Sequence, residues 1–147
     1  MPIRPSAFDE AAQKLAPLLA NLPPKVVAVD GRTGAGKTTL GRFLAWYFNS
    51  SLVELDLFLA KGGLVWRKAE IERIVKLRLD RCRPVFVEGL LVLDVLDSIG
   101  IKPDYTIYVR NSDSPDGCGF AKESEEYESR RSVVASSDHV VEFQHEG

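Results

Sequence analysis

The chain has 147 residues and a mass of 16.3 kDa, the size of one ordinary domain. At 45% hydrophobic and 27% charged residues it has the make-up of a globular protein, not of a disordered or low-complexity one. Nineteen Lys and Arg against 21 Asp and Glu leave a net charge of −2, so the chain is not built around a nucleic-acid backbone, with a local basic patch still open, and no apolar run is long enough to span a bilayer.

The first ten residues, MPIRPSAFDE, lack the apolar core of a signal peptide. Residues 6–22 read as a helix, because Phe8, Ala11, Ala12, Leu15, Leu18, Leu19 and Leu22 recur at helical spacing. Ser6 and Asp9 resemble a capping box, Pro17 is expected to kink the helix, and Pro23 and Pro24 end it. Residues 25–30 (KVVAVD) are a buried strand, 31–36 a glycine-rich turn and 37–48 a helix. Residues 51–56 (SLVELD) are a second strand, followed by a loop with Gly62 and Gly63. Residues 67–82 are helical, with Ile71, Ile74, Val75 and Leu79 as the buried stripe. Its seven cations, Arg67 to Arg83, interleave with Glu70, Glu72 and Asp80, so a solvated, ion-paired face is the expectation. Residues 84–88 (PVFVE) are a third strand, 90–99 a short helix stopped by Gly100, and 104–110 (DYTIYVR) a fourth strand. A polar turn over 111–119, a charged helix over 120–131 and a fifth strand over 139–143 (HVVEF) complete the chain. Cys82 and Cys118 form no CxxC pair and read as free thiols of a reducing compartment, so the expected location is the cytoplasm. Neither His139 nor His145 has a partner at metal-ligand spacing.

Strands alternating with helices predict an α/β fold with a parallel sheet covered on both faces, in a single domain over 1–147 with its core at about 25–143. Such a sheet binds ligands beyond the carboxyl ends of its strands. Asp30, Asp56, Glu88 and Arg110 all fall at those ends.

Gly31, Arg32, Thr33, Gly34, Ala35, Gly36, Lys37 and Thr38 spell GRTGAGKT, a complete G-x-x-x-x-G-K-[ST] between a strand and a helix. The glycines let main-chain amides turn inward around an anion, and the following helix adds its positive end. Lys37 supplies a cation for β- and γ-phosphates, Thr38 a hydroxyl for Mg²⁺, and Thr39 a further phosphate contact. The bland alternative is a strand–helix turn that binds nothing.

The absence of N-K-x-D argues against a guanine-nucleotide switch, and the absence of L-S-G-G-Q against a transporter ATPase. VVAVDGRTGAGKTTL, LVELDLF, RPVFVEGLLVL, PDYTIYVR and YESRRSVVASSDHVV resemble the strands and loops of the uridine kinase and phosphoribulokinase group of P-loop kinases. The resemblance covers most of residues 26–143, and its first piece is the most specific. It implies a three-layer P-loop fold with strand order 2-3-1-4-5, ATP and Mg²⁺ as cofactors, and phosphoryl transfer to a small-molecule hydroxyl. It further implies Asp56 as the base on that hydroxyl, Glu88 in the Walker-B-like place near Mg²⁺, and Phe58 in the acceptor pocket. Phosphoryl transfer itself asks for a phosphate cradle, a metal and a carboxylate beside the attacking oxygen. For Asp56 and Glu88 the alternative is a loop carboxylate that caps the next helix.

Three features depart from that pattern. The stretch between Asp56 and the third strand is short, and Leu59 stands where an aromatic often follows Phe58. The lid region over 111–129 holds one cation, Lys122, against Asp113, Asp116, Glu123, Glu125, Glu126 and Glu128, read as a solvated acidic face. Arg130 and Arg131 could serve the transferring phosphoryl or simply favour the helix end, and Arg67 is the clamp candidate nearest the cleft. Four residues follow Phe143, leaving little to wall an adenine pocket. Trp66 could stack on a base or pack in the core. Two functions stay open: a small-molecule kinase, with nucleoside, sugar or cofactor precursor as acceptor, or a nucleotide-binding module with little or no kinase activity. Neither reading requires nucleic acid or membrane as a partner.

Overall fold

Val26, Val27, Ala28 and Val29 offer apolar side chains to both faces of a strand, and such a strand needs cover on two sides. The computed structural model, which describes residues 5–60, 63–111 and 120–143, supplies it. Its strands are β1 (Val26–Gly31), β2 (Ser51–Glu54), β3 (Val85–Glu88), β4 (Tyr105–Asn111) and β5 (His139–Phe143). They form one five-stranded, all-parallel sheet in the order β2-β3-β1-β4-β5. β1 therefore sits at the centre, and every residue of it is buried.

The helices are α1 (Ser6–Leu15), α2 (Lys37–Tyr47), α3 (Lys68–Asp80), α4 (Val92–Ser98), α5 (Ala121–Arg131) and the single turn α6 (Val133–Ser136). One face of the sheet, through Val27, Val29, Phe86, Ile107 and Val109, packs on α1 and α2. The other, through Val26, Ala28, Val85 and Val87, packs on α3 and α4, while Tyr108 packs with Tyr127 of α5 and Val133 of α6. Among the described residues no helix is long and apolar enough to cross a membrane.

Three local expectations are corrected. α1 ends at Leu15 instead of running to Leu22, because Pro17 has no N–H to give and its ring crowds the preceding turn. Residues 16–22 continue as hydrogen-bonded turns that still bury Leu19. The cap of α1 is Pro5, with no side-chain cap bond, so Ser6 and Asp9 form no capping box. β2 stops at Glu54, the last residue paired to β3, and residues Leu55–Phe58 turn into a 3₁₀ helix that carries Asp56. Leu55 there packs into the core, so close to Gly89 that a Cβ on the glycine would lie 2.7 Å from Leu55 Cβ. The expected stop of α4 is present: Gly100 takes φ +73°, and the amides of Gly100 and Ile101 close on Asp97 and Leu96. Gly62, residues 112–119 of the polar turn with Asp113, Asp116 and Cys118, and His145 lie outside the described residues.

Candidate phosphate-binding site

β1 delivers the glycine-rich loop to the carboxyl edge of the sheet. Gly31, at φ +153°, is still paired with Val109, and a Cβ there would sit 2.4 Å from the Val109 carbonyl oxygen. Gly36 takes φ +105° as the residue that opens α2, and a Cβ there would lie 2.9 Å from the Phe143 ring. Only glycine fits at either position. Between them the Ala35 amide closes a turn on the Arg32 carbonyl, Ala35 is buried and Gly34 is exposed. Thr33 is half-buried and Thr39 exposed.

Lys37 starts α2 with its side chain folded inward, only 7% exposed. Its ammonium donates to the Arg32 carbonyl at 2.9 Å. Burial pulls its pKa below the usual lysine range, and the carboxylates of Glu88, Asp56 and Asp30 oppose that shift. The three acids singled out in the sequence thus all act on the charge of one lysine.

Glu88, at the end of β3, is 1% exposed and accepts the Thr38 hydroxyl on Oε1 at 3.0 Å. Its Oε2 is buried without a hydrogen-bond partner. Burial raises its pKa, offset by the Thr38 hydrogen bond and by Lys37. Gly41 lets α2 approach this carboxylate, since a Cβ on Gly41 would meet Leu52 at 3.0 Å and Glu88 Cγ at 3.5 Å. Thr38 and Glu88 are an oxygen-only donor pair with one orphaned carboxylate oxygen, a set that suits Mg²⁺ completed by phosphate oxygens and water. Among the described residues no group of three or more His, Cys, Asp or Glu is placed to hold a metal by itself.

Asp56 is exposed on the 3₁₀ helix, near enough for its charge to act on both Lys37 and Glu88. After Phe58 the chain folds back as a short hairpin closed by Leu59 and Trp66, with Leu57 and Val65 exposed. Trp66 is a packed residue, 9% exposed. Arg67 caps the hairpin: it donates to the Leu57 carbonyl at 2.7 Å, lies over the Phe58 ring at 5.8 Å and faces Glu70.

Arg130 and Arg131 are both engaged on Asp94 of α4, each at 2.6 Å, with further pairs to Glu126 and Asp97. Of the acidic run, Glu123, Glu125 and Glu126 are exposed as expected. Glu128 is not a solvated side chain: it takes the Arg32 guanidinium in a two-pronged pair at 2.7 and 2.9 Å and accepts the Tyr108 hydroxyl at 2.9 Å. Those partners hold its pKa below the usual range despite burial. Tyr127 beside it donates to Asp30 Oδ2 at 2.8 Å. Neither Tyr108 nor Tyr127 stands out in the sequence, where Glu128 reads as one more solvated acid. The one signal for them is that Ser124 and Tyr127, three residues apart, form the only buried pair on α5.

In sequence the chain matches no family model and no curated protein. In structure it matches a possible uridine kinase from Bacillus stearothermophilus with a TM-score of 0.61 at 14% identity, over 92% of this chain and 97% of that one. It also matches the kinase domain of the Escherichia coli tyrosine kinase ETK, with a TM-score of 0.60 at 12% identity over 97% and 76% of the two chains. Its fold is that of the P-loop kinases. A shikimate kinase from Acinetobacter baumannii, solved with shikimate, matches with a TM-score of 0.50 at 16% identity over 90% and 89%. The P-loop kinase fold and its strand order agree with the resemblance read in the sequence. At these identities the likeness carries the fold, and function rests on the site itself.

Proposed function

We propose that the protein is an ATP-dependent kinase that transfers the γ-phosphoryl group to a hydroxyl of a small molecule. The supporting observation is the cluster of Lys37, Thr38 and Glu88, with an orphaned carboxylate oxygen at the foot of a glycine-shaped loop and Asp56 near enough for its charge to act on Lys37 and Glu88. In this reading residues 31–39 take the phosphates of ATP, and Lys37 leaves the Arg32 carbonyl for a phosphate oxygen. Thr38 and Glu88 would hold Mg²⁺, which, when bound, neutralises charge on the β- and γ-phosphates. The acceptor oxygen attacks the γ-phosphorus, the bond to the β–γ bridging oxygen breaks, and ADP leaves. The acceptor proton passes to Asp56, whose exposure leaves it open to an incoming hydroxyl. Phe58 and Leu57 would line the acceptor side, with Arg67 holding that hairpin in place.

ADP formation across a panel of nucleosides, sugars and cofactor precursors tests the reading. Acceptor-dependent turnover should appear in the wild type and fall by about 100-fold or more in Asp56→Asn, the scale of a lost general base. Turnover that Asp56→Asn leaves untouched removes Asp56 from the mechanism.

One observation favours the second reading, a nucleotide-binding module with weak or no transfer activity. Arg130 and Arg131 are engaged on Asp94 and Asp97 of α4. Tight nucleotide binding with no response to any acceptor would select that reading.

A further inference from the structure

We propose that α5 is a brace for the phosphate loop, in which Tyr127 and Glu128 are positioning residues that hold Asp30 and Arg32, so that docking of α5 and nucleotide occupancy are linked. The inference rests on the nucleotide-binding reading above.

Two consecutive residues of α5 grip the two residues that flank Gly31. Asp30 is 1% exposed; one of its oxygens accepts the Gly31 amide at 2.9 Å and the other the Tyr127 hydroxyl at 2.8 Å. The same hydroxyl accepts the Leu93 amide at 3.2 Å, which ties in the first turn of α4. One residue on, Glu128 clasps the Arg32 guanidinium with both oxygens and takes the Tyr108 hydroxyl as well. Tyr108 is the β4 residue in register with Asp30. The brace therefore joins β1, β4, α4 and α5 around the first residues of the loop.

Arg32 matters for more than its side chain. Its carbonyl accepts both the Ala35 amide that closes the loop and the Lys37 ammonium. A shift of Arg32 is thus passed to the turn and to the lysine proposed to meet phosphate. Asp30, Tyr108 and Tyr127 are buried and the Arg32 and Glu128 side chains are each 23% exposed; a buried hydroxyl or carboxylate left without its partner is costly, so the bonds form or break together. The two arginines that end α5, Arg130 and Arg131, are held by α4. The contribution of α5 to the loop is geometric. A ligand that favours the braced loop must stabilise docked α5, and docked α5 must tighten the ligand by the same factor.

Hydrogen exchange on the full chain reads the link directly. Saturating MgADP should slow exchange of the α5 amides by about 5-fold or more, the lower end of ordinary coupling between sites. Calorimetry with ADP reads it from the other side. Arg32→Gln and Glu128→Gln should each raise Kd by about 5- to 30-fold, and the double variant should be no worse than the poorer single one. Arg32→Lys should fall between wild type and Arg32→Gln, and lose that advantage when Glu128 is Gln. Tyr127→Phe, which keeps the ring and removes the hydroxyl, should raise Kd by about 5-fold. If the Glu128 variant does not fold, wild-type exchange and Tyr127→Phe decide. Unchanged α5 exchange on ADP binding, or substitutions whose effects simply multiply, overturns the brace and leaves the nucleotide site standing. A wild type that does not bind ADP overturns both.

Discussion

Thr38 and Glu88 lie 50 residues apart in the chain, yet the Thr38 hydroxyl donates to Glu88 Oε1 at 3.0 Å while Glu88 Oε2 has no partner. The end of β3 and the start of α2 thus present one satisfied and one unsatisfied oxygen to the same small volume. An arrangement that leaves a buried carboxylate half-paired is expensive for a resting fold and well suited to a cation.

Glu88→Gln should therefore separate stability from binding. The amide keeps an acceptor for Thr38 and removes a buried charge, so the unliganded protein should unfold at the same or a higher temperature, by about 1 kcal/mol of added stability. Affinity for MgADP should fall by about 10-fold or more, while affinity for ADP with the metal chelated should change far less. Thermal unfolding together with calorimetry in Mg²⁺ and in chelator checks both halves.

Asp30 should leave a signature in the pH dependence of stability. Burial lifts its pKa from 3.8 to about 6, against the hydrogen bonds from Tyr127 and Gly31 and the charge of Lys37. The folded state then holds this proton more tightly than the unfolded state. The stability it contributes is fully present below pH 3.8 and is lost as the pH rises through about 6. Glu88, also raised, adds to that slope, whereas Asp94 and Glu128, both lowered, oppose it. The comparison with Asp30→Asn isolates the one group. Between pH 4 and 7 the wild type should lose on the order of 2–3 kcal/mol relative to the variant, measured by urea unfolding.

Gly31→Ala should be among the most damaging small changes in the chain. The added methyl would press on a backbone carbonyl of the neighbouring strand at 2.4 Å, in a conformation alanine rarely adopts. A loss of about 2–4 kcal/mol is expected, seen as a drop in the urea midpoint. Gly34→Ala shares the positive φ but meets nothing within 4 Å, so it should cost about 1 kcal/mol. Equal effects of the two would show that space around Gly31 is not what excludes a side chain.

Lys37→Ala should weaken nucleotide triphosphate binding by about 10-fold or more, because it deletes the buried ammonium on whose charge Glu88, Asp56 and Asp30 all act. It also strands those carboxylates, so the unliganded protein should lose about 1–3 kcal/mol. Titration calorimetry and thermal unfolding on the same sample test the two effects.

How legible this was in the chain differs from element to element. Residues 26–38 could be read almost completely, because a both-faces-apolar strand, fixed glycine positions and a helix start are all demands of the local backbone. α1 was read too long, since helical spacing continues through Leu22 whereas Pro17 removes the hydrogen bond that would carry the helix there. β2 was read too long because its end depends on where its neighbour, β3, stops pairing. α5 was legible as a helix but not in its allegiances. Its acids looked alike in sequence, yet Glu126 is exposed and Glu128 pairs with Arg32 of the glycine-rich loop.

By itself the sequence determined the alternation of strands and helices, the glycine-rich turn between β1 and α2, and the place of Asp30 and Glu88 at strand ends. These follow from interactions a few residues long. Only the tertiary structure decided that Arg130 and Arg131 meet Asp94, that Glu128 meets Arg32, and that Tyr127 meets Asp30, 97 residues away. The spacing of a helix says which side chains share a face. What that face touches is set by the angle at which the whole helix packs on the sheet, and that angle is a property of the assembled core.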